Sequence, residues 1–222
     1  HQVPTGVTMS SARRRQLLEH AARHDAVIIE DDYDSESNFT LNPLPALKAS
    51  DRSGRVVYVS SLSKALSPGL RLGFMVADPD LIDEARALRR LVYRHPPTNI
   101  QYQMAHFLAQ GHYETHLRRY HYDSAQRWER LHAALQRYLP SCRALAGSEH
   151  ANAFWLQTPA QINTQQLTWR AAHAGVLIEP GARHFLSAAP PDNYFRMGFH
   201  AINPDAIAQG VEVLRGQLEQ MG

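Results

Sequence analysis

The chain has 222 residues, 44% of them hydrophobic and 20% charged, and a formal net charge of +2 at pH 7; that is the make-up of a soluble globular protein and excludes a disordered chain. No apolar stretch reaches the roughly 18 to 20 residues of a membrane span, and the N-terminus lacks both the basic start and the apolar run of a signal peptide, so a cytoplasmic protein with no membrane partner is expected. The basic residues are spread out apart from short runs such as Arg13-Arg14-Arg15 and Arg118-Arg119, which read as solvated surface and not as a nucleic-acid contact.

Two residue types invite a search for special chemistry. Cys142 is the only cysteine, so it forms no internal disulfide and reads as a packing residue. The 13 histidines include no His-Glu-x-x-His pair or other ligand spacing, and no structural metal is expected.

In chain order, His1 to Gly6 reads as a turn because of Pro4 and Gly6. Ser10 and Ser11 can cap a helix that carries Leu17, Leu18, Ala21 and Ala22 on one face and ends near Asp25. Val27-Ile28-Ile29 is a short β-branched run of the kind that makes a strand buried on both faces, followed directly by Glu30-Asp31-Asp32. A Pro-containing connection, Asn42 to Gly54, leads to a second strand, Val56 to Val59, and then to Ser60-Ser61-Leu62-Ser63-Lys64. The next strand-like run, Leu72 to Val76, follows too closely for a parallel crossover and is expected antiparallel to its neighbour.

Asp78-Pro79 is a cap and an N1 proline, and Leu81, Ile82, Ala85, Leu88 and Val92 continue as an amphipathic helix. Thr98 to about Gln110 reads as a helix stopped by Gly111, and a long polar helix runs from about Tyr113 to Tyr138. Beyond Leu139-Pro140 the pattern restarts. A strand is expected around Phe154-Trp155-Leu156, a helix from Thr164 to Ala174 closed by Gly175, strands near Val176 to Ile178 and Tyr194 to Phe199, and a last helix from Asn203-Pro204. Two carboxylate- and hydroxyl-bearing strands thus deliver their polar groups at C-terminal ends, where open α/β sheets bind ligands.

Four segments occur in one order: His1-Gln2-Val3-Pro4-Thr5-Gly6, Ile28-Ile29-Glu30-Asp31-Asp32-Tyr33-Asp34-Ser35-Glu36, Ser61-Leu62-Ser63-Lys64, and Pro68-Gly69-Leu70-Arg71-Leu72-Gly73. Together they resemble the fold-type I, pyridoxal-phosphate-dependent aminotransferases of class I/II, and more narrowly the effector domains of MocR-type regulators in the GntR superfamily. The resemblance continues to Tyr194-Phe195-Arg196-Met197-Gly198-Phe199 and so covers essentially the whole chain. It implies an α/β fold: the C-terminal part of a large, mostly parallel-sheet domain in residues 1–115, and a small C-terminal α+β domain in residues 116–222. It also implies a homodimer.

The resemblance gives each residue a task. Lys64 is the amine that takes the aldehyde cofactor, pyridoxal 5'-phosphate, as a Schiff base and moves protons at the substrate carbon. Asp31 is the carboxylate that keeps the pyridine nitrogen protonated, with Glu30, Asp32 and Asp34 as neighbouring alternatives. A like-charge cluster is costly to bury whole, so one carboxylate is expected to turn inward and the others outward. Tyr33 matches the hydrogen-bond partner of the phenolic oxygen, Ser61 and Ser63 supply hydroxyls to the phosphate, and Arg71 offers it a bidentate fork. Arg196 matches the arginine that grips a substrate carboxylate; Arg183 is a second, weaker candidate for a distal one.

The sequence departs from the aminotransferase pattern at Val3, which stands where these enzymes usually carry an asparagine that bonds the ring oxygen. That departure favours the regulator. The chain also starts well inside the large domain of such proteins, so it is expected to be a portion of a longer polypeptide, in which a winged helix-turn-helix further upstream would contact DNA. An isolated piece would expose an unpaired sheet edge. The function expected is a sensor domain that responds to an amino acid or amine; the alternative is a free-standing aminotransferase acting on an α-amino acid. A scaffold that has lost the cofactor is disfavoured by the intact Asp31, Lys64 and Arg71 set.

Overall fold

The computed structural model describes residues 2–39, 43–145 and 152–221. His1 and Asn42, which begin two of the segments named above, lie outside the described residues. The chain divides into two compact units, one formed by Met9–His121 and the other by Tyr122–Gly222 with His1–Thr8.

In the first unit, α1 spans Ser11–Arg23, and the Ser10 hydroxyl accepts the Arg13 N–H, as a serine N-cap should. A three-stranded sheet follows in the order β1-β2-β3, from Ile28–Asp31, Val56–Ser61 and Gly73–Val76. β1 runs parallel to β2, with Asp31 opposite Val59, and β3 runs antiparallel to β2, with Gly73 opposite Ser61. β2 is two residues longer than its apolar run, because pairing with β3 draws Ser60 and Ser61 into the ladder. The helices are α2 (Leu47–Ser50), α3 (Pro79–Val92), α4 (Thr98–Ala109) and α5 (His112–Tyr138), the last continuing into the second unit. Asp78 caps α3 by accepting the Asp80 N–H, and Gly111, at φ +70°, stops α4.

One expectation about this sheet needs correction. The run Val27-Ile28-Ile29 is not buried on both faces: Val27 is 63% and Ile29 73% exposed. Side chains alternate along a strand, and in β1 only the side carrying Ile28 and Glu30 is partly covered while Ile29 and Asp31 stand in the open. The apolar stripe of α3 is covered only in part: Ile82 and Ala85 are half-buried, while Leu81, Leu88 and Val92 are exposed. The Asp78 cap and the N1 proline add to that partial burial in forming α3.

In the second unit, β4 (Arg143–Ala144), β5 (Ala153–Gln157), β6 (Glu179–Pro180) and β7 (Tyr194–Gly198) make an antiparallel sheet in the order β4-β5-β7-β6. Helices α6 (Thr164–His173) and α7 (Ile207–Glu219) supply Leu167, Ala171, Val211 and Leu214 to the same core as Phe154, Leu156, Phe195 and Met197. The strand expected at Val176 to Ile178 appears instead as the two-residue β6. The Val176 N–H is held by the Ala171 carbonyl at the end of α6, so the chain reaches β7 only at Glu179. Pro180 lacks a donor and sits on the sheet edge, where that lack costs nothing. Residues 2–7 form the turn read from the sequence, with the Gly6 N–H bonded to Gln2 and the Gln2 N–H to Val7. Cys142 is a free, half-buried thiol, pushed up to about 11 by burial, as suits a packing residue.

Asp51 ties α2 to β2. Its side chain is fully buried and accepts the Val56 N–H at 2.8 Å, the Ser53 N–H at 2.9 Å and hydroxyl at 3.0 Å, and Lys48 Nζ at 3.3 Å. Burial pushes the carboxyl up, but these hydrogen bonds together outweigh it and hold the group far below the usual range. A depressed folded-state pKa gives stability that is complete above about pH 4 and is lost as pH falls below it. Asp51→Asn is expected to lower stability by about 1–3 kcal/mol at neutral pH and to flatten the acid limb of stability against pH, measured by urea unfolding at a series of pH values.

Candidate functional site

The parallel register of β1 and β2 sets the site. Residues opposite each other share a face, so Asp31, Val59, Ser61 and Gly73 lie on one side of the sheet. Asp31 and Ser61 are one strand apart laterally and two residues apart along the strand, which separates their Cα positions by about 8 Å. That is comparable with the span of a pyridine ring and its phosphomethyl arm.

The acidic cluster is sorted by its partners. Glu30 accepts the backbone N–H groups of Leu47 (2.5 Å) and Lys48 (2.9 Å) at the start of α2. Asp32 accepts the Tyr58 hydroxyl at 3.1 Å, and Asp34 pairs with Lys64 Nζ at 2.5 Å. The expectation of one inward carboxylate is therefore corrected: Glu30, Asp32 and Asp34 are all partly buried, because each has a donor that offsets its desolvation. Asp31, on the open face, makes no hydrogen bond or ion pair with its side chain among the described residues.

Lys64 follows β2 on a short loop. Its ammonium lies 4.6 Å from the centre of the Tyr33 ring while contacting Asp34, so the structure brings together Lys64, Tyr33 and Asp34. The Ser63 N–H donates to Ser61 Oγ at 3.1 Å, the Leu62 N–H to the Leu72 carbonyl at 3.0 Å, and His116 Nε2 to the Ala65 carbonyl at 2.7 Å. The loop bearing Asp34 is fixed from the same helix, since His121 Nε2 donates to the Glu36 carbonyl at 2.8 Å and the Tyr120 hydroxyl lies 3.3 Å from Ser37 Oγ. Sequence reasoning named Asp34 only as an alternative to Asp31 and missed His116 altogether. The available signal was the i,i+4 spacing of His116 and Tyr120, whose rings lie 6.3 Å apart on one helical face.

Arg71 is exposed, adopts the left-handed conformation at φ +48°, and makes no ion pair or side-chain hydrogen bond among the described residues. The donor set fits a phosphorylated pyridine aldehyde: a loop lysine over a phenol ring, an unpartnered carboxylate, a serine hydroxyl whose proton is still available, and an uncommitted guanidinium. Arg196 belongs to the second unit. There it stands opposite Trp155 on β5 and Glu179 on β6, and its Nη1 donates to Glu179 Oε2 at 3.2 Å. Arg183 Nη1 donates to Glu179 Oε1, also at 3.2 Å.

Residues 2–214 match the family described as aminotransferase class I and II. The chain belongs to the class I and II aminotransferase family. Among solved structures, the kynurenine aminotransferase of Pyrococcus horikoshii is 28% identical, with a TM-score of 0.88 over 99% of this chain and 54% of that one. The multiple substrate aminotransferase of Thermococcus profundus is 29% identical, with a TM-score of 0.89 over 99% of this chain and 54% of that one. The fold is thus the α/β fold of the pyridoxal-phosphate, fold-type I aminotransferases, of which the chain forms about half. Among curated relatives, the HTH-type transcriptional regulator TauR of Rhodobacter capsulatus is 39% identical over 95% of this chain and 43% of its own length. The probable rhizopine catabolism regulatory protein MocR of Rhizobium meliloti is 34% identical over 96% and 43%. The chain spans less than half the length of these two relatives.

Gly73 tests the site's framework. A Cβ there would lie 2.7 Å from the Ser60 carbonyl oxygen, a backbone atom that cannot turn aside. Gly73→Ala is expected to destabilise the protein by about 2 kcal/mol and to loosen the strand end bearing Ser61 and the turn bearing Arg71. Urea unfolding checks the first effect and cofactor retention on gel filtration the second.

Proposed function

We propose that the chain is the pyridoxal-phosphate-binding, aminotransferase-like effector domain of a MocR-type regulator of the GntR superfamily, anchored to its cofactor through Lys64 and responding to an amino acid or amine. The observation that carries this reading is the Lys64 ammonium held between the Tyr33 ring and the Asp34 carboxylate, at the ends of parallel strands that present Asp31 and Ser61 on one face. The similarity to HTH-type regulators at 39% and 34% identity supports the regulator over the enzyme.

Bound pyridoxal phosphate supplies an aldehyde for covalent capture of an amine and a cationic ring that withdraws electrons. Lys64 Nζ provides the anchoring amine, and Asp34 is the adjacent acceptor for the proton that Nζ must release. Asp31 holds the proton on the ring nitrogen. The Tyr33 hydroxyl is assigned to the phenolic oxygen, while Ser61, Ser63 and Arg71 take the phosphate. In this reading the large domain passes into the small one near residue 116, within α5, and Arg196 of the small domain takes the ligand's carboxylate. That last role rests on the family match and on the guanidinium's existing contact with a carboxylate in its own unit.

The protein is read as a cytoplasmic homodimer, with DNA contacted only through a winged helix-turn-helix outside this chain. Among the described residues no helix is long and apolar enough to cross a membrane. Exposed Ile29, Leu88, Leu91 and Tyr93 are apolar surface of the kind another chain or segment covers. The second reading, a free-standing aminotransferase, is favoured by the solved structures at 28–29% identity, which are aminotransferases.

The protein loaded with pyridoxal phosphate is expected to show a visible absorption band that Lys64→Ala abolishes; a band that persists in the variant overturns the assignment. Arg71→Gln should keep the band but weaken cofactor retention by about ten- to a hundredfold. Rapid mixing with amino acids separates the two readings. Spectral exchange with little oxo-acid product supports the effector domain, and fast stoichiometric product supports the enzyme.

A further inference from the structure

The cluster around Glu179 lies on the face of the second sheet opposite its helix-packed core, and no role yet given to Arg196 explains it. Three strands place Trp155, Arg196 and Glu179 in one row. Glu179 accepts Arg196 Nη1 through Oε2 and Arg183 Nη1 through Oε1, and His184 Nε2 lies 3.4 Å from Oε1. The Arg196 side chain is 22% exposed and that of Glu179 31%, whereas that of Arg183 is 66% exposed. Arg183 can therefore follow a moving partner at little cost, while Arg196 is fixed on its strand.

We infer that Glu179 is a built-in stand-in for the ligand's carboxylate: it occupies Arg196 when no ligand is bound, and binding is an exchange in which the ligand takes Arg196 and Glu179 stays with Arg183. This rests on the reading of Arg196 as the carboxylate site. The charges support it. Two guanidiniums share one carboxylate, so after exchange each guanidinium holds one carboxylate and no ion is left unpaired. Burial pushes the Glu179 carboxyl up, but the hydrogen bonds and charges of Arg183 and Arg196, with a contribution from His184, outweigh it and keep the group ionised, as an exchanging anion must be. Gly181 fixes the segment, since a Cβ there would lie 2.6 Å from Trp155, from the Tyr194 side chain and from the Tyr194 carbonyl oxygen. Glu179 is thereby held at one register against Arg196, and exchange is confined to its side chain.

The consequence is a choice of ligand class. A simple amine has nothing to offer Arg196 and leaves the Glu179 pair closed. An amino acid with one carboxylate at this end opens it. Arg196 is thus what favours amino acids over amines, and Glu179 sets the threshold that a carboxylate must exceed to open the pair.

Acetate, the smallest carboxylate, is the probe, with acetamide as its neutral control. Binding to the cofactor-loaded full chain is followed by saturation transfer to the probe's methyl protons. Glu179→Gln removes the competitor and is expected to tighten acetate about twofold to fivefold, the worth of a partly exposed ion pair. Glu179→Asp keeps the charge with a shorter reach and should tighten it less. Arg183→Gln leaves the displaced Glu179 without its second partner and should weaken acetate about twofold. Unchanged or weaker acetate binding in folded Glu179→Gln and Glu179→Asp overturns the proposal, as does an Arg183→Gln variant that binds like wild type. Acetamide binding as tightly as acetate overturns it too. The visible band is recorded on the same samples. Its absence from the wild type counts against the cofactor reading alone, because acetate exchange at Arg196 does not require it.

Discussion

Two strands paired in parallel, without a slip in register, are what the first unit depends on. The Ile28–Val56 to Asp31–Val59 ladder makes both chain exits leave from the same end of the sheet. A one-residue slip would send Asp31 to the side that carries Glu30 and would separate it from Ser61. The register is held from outside the ladder as well as within it. Glu30 grips the start of α2, Asp51 grips the start of β2, and the Ser60 hydroxyl donates to the Asp32 carbonyl at 3.0 Å. The polar groups around the sheet thus serve two ends, and the cluster Glu30 to Asp34 divides accordingly. Even-numbered members hold structure or the lysine, and among the described residues the Asp31 side chain is left without a partner.

α5 does for the loops what the register does for the strands. The exit loops of β1 and β2 share no ladder, yet residues of one helical face reach both, His116 to the Ala65 carbonyl, and Tyr120 and His121 to the segment Glu36–Ser37. Histidine suits the task because a neutral imidazole can donate one N–H to a backbone carbonyl without bringing a charge near the lysine. Such bonds account in part for the abundance of histidine in this chain.

Much of this is legible in the sequence. The caps at Ser10 and Asp78, the glycine stop at Gly111 and the short β2–β3 connection are local signals, and each element they mark formed within one or two residues of its expected place. Burial was not legible in β1 and α3, because an apolar run states only that a surface can be covered. β4 and α2 were not legible either, being too short for any periodicity to show. The site divided in the same way. Asp31 and Ser61 stand at the ends of β1 and β2 as the strand pattern expects, while the Lys64–Asp34 and Glu179–Arg196 pairs depend on loop paths and rotamers that no spacing encodes.

Arg71 carries one further consequence. An arginine at φ +48° occupies backbone territory where a side chain costs about 1–2 kcal/mol and where glycine or asparagine would sit with less strain. The position therefore makes two demands that no single residue meets in full. Glycine would relax the main chain and forfeit the cation, and lysine would keep the charge but lose the planar fork. Holding arginine there leaves the fold slightly less stable than its own backbone geometry allows, a concession that the phosphate role proposed for that guanidinium would explain.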